Sequence, residues 1–131
     1  MKVVHASGKR KEAIARATLR PGSGAVRINS LLLPFYGSEL YRLKIEEPLQ
    51  IAGDVAGQVD INVRVVGGGM SAQAEASRVA ISKCLAQFDK RLQSTFMQYD
   101  RTLLVADVRR KETHKPNCHG KARSKVQKSY R

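Results

Sequence analysis

The chain has 131 residues, with 24 Lys or Arg against 11 Asp or Glu and a formal net charge of +13. That length suits one compact domain with a core that stands without disulfides, and two cysteines, Cys84 and Cys118, make no disulfide framework. No apolar run approaches the roughly 20 residues that span a bilayer, and no charged stub leads into an apolar signal segment, so an intracellular, reduced setting without a membrane partner is expected.

In chain order, Val3-Val4-His5 predicts a short strand that enters a loop at Ser7-Gly8. From Lys11 to Arg20, Ala13, Ala15, Ala17 and Leu19 alternate with mostly polar neighbours, the period of a half-buried strand. Pro21-Gly22-Ser23-Gly24 has turn chemistry, and Ala25-Val26-Arg27-Ile28 is expected to return as the second arm of a hairpin. Residues 31–53 show mixed helical periodicity broken by Pro34 and Pro48, which predicts two short helices, the second with Pro48 in its first turn. Val59, Ile61, Val63 and Val65 alternate with Asp60, Asn62 and Arg64, the clearest strand in the chain, and Gly67-Gly68-Gly69 ends it. A core helix follows from Ser71 to about Phe88, with Ala76, Ala80, Ile81, Cys84, Leu85 and Phe88 on one stripe and Glu75, Arg78, Ser82 and Gln87 turned away. A more polar helix is expected over Lys90–Tyr99, then a buried strand at Leu103-Leu104-Val105-Ala106. After Val108 the core pattern stops, and residues 109–131 hold nine bases and one aliphatic residue, Val126. Such a segment cannot offset its chain entropy by burial and is expected to be disordered until it meets RNA.

The charge is segregated. Lys2, Lys9, Arg10, Lys11, Arg16 and Arg20 stand against Glu12 alone in residues 1–20, and residues 101–131 hold ten bases against Asp107 and Glu112, while the stretch between them balances. Cationic ends on a neutral centre are the electrostatic footprint of a protein whose extensions follow a polyanion, because each base near a phosphate releases a counterion. A merely solubilising surface would not need that division.

Several motifs carry competing readings. Gly8-Lys9-Arg10-Lys11 places bases beside a glycine that lets backbone approach a phosphate, although a solvated loop has the same composition. Gly67-Gly68-Gly69-Met70-Ser71 could cradle an anion at a helix N-terminus, but close packing of an alanine-rich helix explains the glycines better. A small-molecule kinase is disfavoured because no lysine of the phosphate-loop type follows and Asp54, Asp60, Asp100 and Asp107 form no recognisable magnesium pattern. His114, Cys118 and His119 do not make the paired spacing of a zinc site, and Cys84 falls in the helix stripe as a small core residue, so no metal and no cofactor is expected. The run Lys121-Ala122-Arg123-Ser124-Lys125-Val126-Gln127-Lys128-Ser129-Tyr130-Arg131 spaces its bases every two or three residues, roughly 7 to 10 Å in an extended chain and close to phosphate spacing. Nuclear import is the competing use of such a run.

Four stretches in order, Gly8 to Ala17, Val63 to Ala76, Tyr99 to Asp107 and Gln127-Lys128-Ser129-Tyr130-Arg131, closely resemble the ribosomal protein S-nine family of the small subunit, and its archaeal branch in the ending. The resemblance implies an α/β (α+β) fold: one two-layer domain over residues 1–108, its sheet covered by helices on one face as in the second domain of ribosomal protein S-five. A left-handed strand-helix-strand crossover belongs to that fold. Residues 109–131 would form an extended basic tail. The implied function is non-catalytic, as a constituent of the small-subunit head in the cytoplasm, with ribosomal RNA, peptidyl-site transfer RNA and neighbouring head proteins as partners and no small-molecule substrate. Carried over by position, Lys9, Arg10, Lys11, Arg109, Arg110, Lys111, Lys115, Lys121, Arg123 and Lys125 would bind ribosomal RNA, and Lys128, Ser129, Tyr130 and Arg131 transfer RNA. A free-standing nucleic-acid-binding protein is the alternative. The chain departs from the family at Ala72, where Gly is usual, at Val108, where Pro usually follows the Asp, and at Asn117-Cys118-His119, which interrupts a stretch richer in Gly and bases.

Overall fold

The computed structural model describes residues 2–130. Strand β1 (Val4–Arg10) turns through Lys11 and Glu12 into β2 (Ala13–Pro21), and β3 (Val26–Ile28) and β4 (Leu31–Leu32) follow. A one-turn 3-10 segment at Leu33–Phe35 leads to helix α1 (Glu39–Ala52), and a second at Gly53–Gln58 to β5 (Val59–Val66). Helices α2 (Met70–Phe88) and α3 (Arg91–Tyr99) and a last 3-10 turn at Arg101–Leu103 complete the body. The five strands form one sheet in the order β1-β2-β5-β3-β4, antiparallel except for β3 beside β5. This is the mixed α/β, single-domain architecture that the resemblance implies.

One sheet face is the core and the other is open. Ala13, Ala15, Ala17 and Leu19 of β2 and Val59, Ile61, Val63 and Val65 of β5 are buried, while their alternate neighbours face outward, as the period of two requires. Helix α2 lies over β1 and β2 and is buried nearly all round, because α1 and α3 pack on its other side. Its alanines and those of β2 let helix and sheet approach closely. Gly8 marks the tightest point, where an added Cβ would stand 2.3 Å from the carbonyl oxygen of Ala76. Gly8 is therefore a packing residue rather than a point of phosphate approach.

The first strand does not enter a loop at Ser7-Gly8 but runs through both residues to Arg10, paired along its length with β2, and four further local expectations are corrected. Segment Ala25–Ile28 does not return along β2; β3 crosses to the far edge of β5 and pairs with it in parallel, Val26 opposite Ile61 and Ile28 opposite Val63. The reason is a strap: Asp60 Oδ1 accepts the backbone N–H of Ser23, Gly24 and Ala25 at 2.9 to 3.0 Å, carrying the turn across the end of β5. The next hairpin, β3–β4, turns on Asn29 and Ser30, both at positive φ (51° and 71°), the geometry of a two-residue primed turn that matches strand twist. Asn29 then extends the sheet ladder, its amide donating to the carbonyl of Val65 and accepting from the N–H of Val65.

Residues 39–52 form one helix and not two, with Pro48 buried inside it beside Ile45 and Ala52. Burial of the ring in the core offsets the helix bond that proline removes. Ser82, expected to face away on α2, is buried and donates its hydroxyl to the Arg78 carbonyl at 2.7 Å. Leu103-Leu104-Val105-Ala106 is not a strand. Asp100 accepts the N–H and hydroxyl of Thr102, winds Arg101–Leu103 into a 3-10 turn and sinks Leu103 alone of that run fully into the core.

The tail from Arg109 to Tyr130 is exposed apart from the half-buried Cys118 and Ala122. It does not run extended throughout, because it doubles back between Lys115 and Val126: Cys118 bridges Lys125, and the N–H groups of Lys115, His119 and Val126 bond the carbonyls of Lys121, Ser124 and Asn117. The path of residues 108–120, open on sequence alone, follows from this hairpin.

Candidate nucleic-acid interface

The β1–β2 turn projects because Lys11 takes a left-handed conformation (φ 53°) at its tip. Alternation along β1 decides what each base does. Lys9 is in the outward phase and exposed, whereas Arg10 shares the inward phase of Val4 and Gly8. The Arg10 side chain is 14% exposed and lies between Glu75 of α2 and Asp107 at the root of the tail, at 2.6 and 2.9 Å. Arg10 thus anchors the tail root to the body and presents no free guanidinium to a ligand. Period-two phase was the available signal for this, and Glu75 and Asp107 were its missed partners.

Electrostatics reinforce that anchor. Burial pushes the Glu75 carboxyl up, but the Arg10 guanidinium and the Lys44 ammonium outweigh it and hold it below the ordinary glutamate range. Asp107 is held well below the usual carboxylate range, first by the Arg109 guanidinium and N–H and then by Arg10. A second clasp has the same logic: Arg78 bridges Glu47 of α1 and Asp100 after α3, at 2.7 and 3.1 Å.

Around this anchor the two cationic ends of the sequence meet. Lys11 from the hairpin tip and Arg109, Arg110, Lys111 and Arg123 from the tail line one open hollow of about 750 Å³ with Gly68, Gly69 and Glu112. Arg123 pairs with Glu112 and Arg109 with Asp107, and both arginines stay largely exposed. Lys121 lies at a smaller neighbouring hollow with Lys111 and His114, while Lys115 and Lys125 sit within the tail hairpin. Lys128, Ser129 and Tyr130 run on beyond it exposed, Tyr130 at 90%; Arg131 lies outside the described residues.

The glycine run before α2 has a packing cause. Gly67 and Gly68 have positive φ, and an added Cβ would stand 2.5 Å from the Glu12 carbonyl at Gly67 and 3.0 Å from the Ala13 N at Gly68. No three His, Cys, Asp or Glu side chains gather into a possible metal group among the described residues. Cys84 is enclosed, its thiol pushed up to about 11 by burial and donating to the Ala17 carbonyl, so it is an inert core residue. No helix of the described residues is long and apolar enough to cross a membrane.

The family model described as Ribosomal protein S9/S16 matches residues 8–131. The chain belongs to the ribosomal protein S9 family. It is 46% identical over 134 residues to the small ribosomal subunit protein uS9 of Methanococcus vannielii, and equally to that of Methanococcus maripaludis strain C5, with 100% of each chain covered. The archaeal character read from the ending agrees with these relatives. As a ribosomal protein S9, the chain is a structural, non-enzymatic constituent of the small subunit and works in the ribosome of the cytoplasm. The kinase alternative and the free-standing regulator are set aside by the same match.

Proposed function

We propose that this ribosomal protein S9 holds small-subunit ribosomal RNA with the hollow shared by the hairpin tip and the tail, and supports peptidyl-site transfer RNA with Lys128 to Arg131. The observation that carries the first part is the convergence of Lys11, Arg109, Arg110, Lys111 and Arg123 on one open cavity. Guanidinium forks and ammonium groups position phosphates without reading bases. Lys9 joins them from the sheet side of the tip, Lys115, Lys121 and Lys125 from the tail hairpin, and Arg10 acts by fixing the tail root. The transfer-RNA part rests on the family resemblance and on the exposure of Lys128, Ser129 and Tyr130. In this reading residues 1–108 are the RNA-binding domain and 109–131 the tail, with neighbouring proteins of the subunit head as further contacts.

Deleting residues 129–131 tests the finer claim. The shortened chain should sediment with small subunits after a moderate salt wash as the full chain does, while peptidyl-site transfer-RNA occupancy falls. Equal occupancy would remove the tail from transfer-RNA support.

A further inference from the structure

The open face of the sheet carries a second cationic surface. Register places Arg16 of β2 directly opposite Arg64 of β5, and Arg27 of β3 opposite Asn62 of β5, two residues along the strand from Arg64 and on the same face. All three arginines are exposed, and none has an ion-pair partner within 4.0 Å among the described residues. With Thr18, Asn29, Ser30 and Asn62 they line an open hollow of about 730 Å³. Lys9 extends the same face one row nearer the hairpin tip, where it stands opposite Ile14.

Like charges directly opposed across two strands destabilise a sheet, and nothing on this face relieves the pair. Asp60 is the carboxylate there. It stands opposite Arg20 and attracts Arg27, but its Oδ1 is already committed to three backbone N–H groups. The arrangement costs the isolated protein stability, which a bound polyanion would return. Apolar side chains on the face are Ile14 and Val66 at its tip end and Leu32 on the edge strand opposite Arg27, so they lie at its margins and the centre around Arg16 and Arg64 lacks the apolar anchors of a protein interface. Three forked donors among polar neighbours match phosphate oxygens instead.

We infer that Arg16, Arg27 and Arg64 form a second RNA-backbone site on the uncovered sheet face, separate from the hollow at the tail root and resting on the reading that this chain binds ribosomal RNA. The face takes a ribose-phosphate strand, and the guanidinium groups bridge successive phosphates.

The full-length chain with Arg16→Gln, Arg27→Gln and Arg64→Gln tests the site against purified small-subunit ribosomal RNA, with affinity followed over a salt series. A second full-length variant, Lys121→Gln with Lys125→Gln and Lys128→Gln, separates face from tail. The sheet variant should bind at least tenfold more weakly at low salt, and the slope of log affinity on log salt should flatten by about two to three, roughly one for each phosphate contact. Its melting temperature should equal or exceed the parent's, because the Arg16–Arg64 repulsion is gone; a lower value would assign these arginines a structural role and overturn the site. Unchanged RNA affinity in the sheet variant with loss in the tail variant would overturn the sheet site and leave the ribosomal-RNA reading standing. No RNA binding by the parent at low salt would remove both. Displacement of the RNA by poly-glutamate as effectively as by unlabelled RNA would also overturn it, in favour of an acidic protein surface.

Discussion

Arg10 and Arg16 belong to the same β-hairpin and meet opposite fates. Arg10 points under the helices and is claimed by two carboxylates, whereas Arg16 points to the open face and faces another arginine. The contrast runs through the molecule: Arg78 of α2, held between α1 and the end of α3, is also doubly paired, while among the described residues Arg27 and Arg64 on the open face have no ion pair. A charge withdrawn from water needs a partner or costs heavily, so the covered side uses its bases as structural clasps. The uncovered side keeps its arginines without ion pairs among the described residues, and the tail's paired bases, Arg109 and Arg123, stay largely exposed.

Substitutions on the two sides should separate accordingly. Phe96, fully buried between α3 and the rest of the core, sets the upper end: Phe96→Ala should cost about 3 to 5 kcal/mol, read from urea unfolding of the full chain. A loss under about 1 kcal/mol would show that α3 is not part of the cooperative core. Arg10→Met comes next, at about 1 to 3 kcal/mol near neutral pH, because Glu75 and Asp107 lose a shared partner.

That variant also has a pH signature. Glu75, Asp100 and Asp107 titrate lower in the folded chain than their ordinary values of 4.5 for Glu and 3.8 for Asp. Depressed carboxylates contribute stability that is complete above those ordinary values and is lost as pH falls through the lower folded ones. Parent stability should therefore hold from pH 7 to about 5 and decline below about 4.5, and Arg10→Met should decline less steeply as the Glu75 carboxyl rises. Parallel urea midpoints against pH in parent and variant would refute the clasp. At the small end, removing residues 109–131 should change body stability by no more than about 0.5 kcal/mol, because the tail buries nothing deeply, while RNA affinity falls sharply. A destabilisation above 2 kcal/mol would make the tail a structural part of the body.

Much of the fold was legible in residue patterns. Alternation in Ala13–Leu19 and Val59–Val65 and the apolar stripe of α2 each located an element and its buried face. Three of the failures share a cause: groups distant in sequence overruled the local pattern. Asp60 drew residues 23–25 away from β2; core burial of Pro48 kept α1 whole; and α1 and α3 closed over the face of α2 that Ser82 was expected to leave in water. The Leu103 run lost to a cap from Asp100 only two residues before Thr102, a signal close enough to have been read. For the interface, the bases of the hairpin tip and the tail were identifiable, and the turn of the tail at Cys118 and Lys125 was not.

By itself, the chain's order of residues determined which positions alternate, where charge concentrates and which family the motifs belong to, since periodicity and composition are properties of neighbours along the backbone. Only the tertiary structure decided which bases are spent on carboxylates and which remain free. It brought Lys11 to Arg109, turned Arg10 inward and set Arg16 against Arg64. The reason is physical: a charge's role depends on burial and on opposing groups, and both are set by strand register and helix cover between residues far apart in the chain.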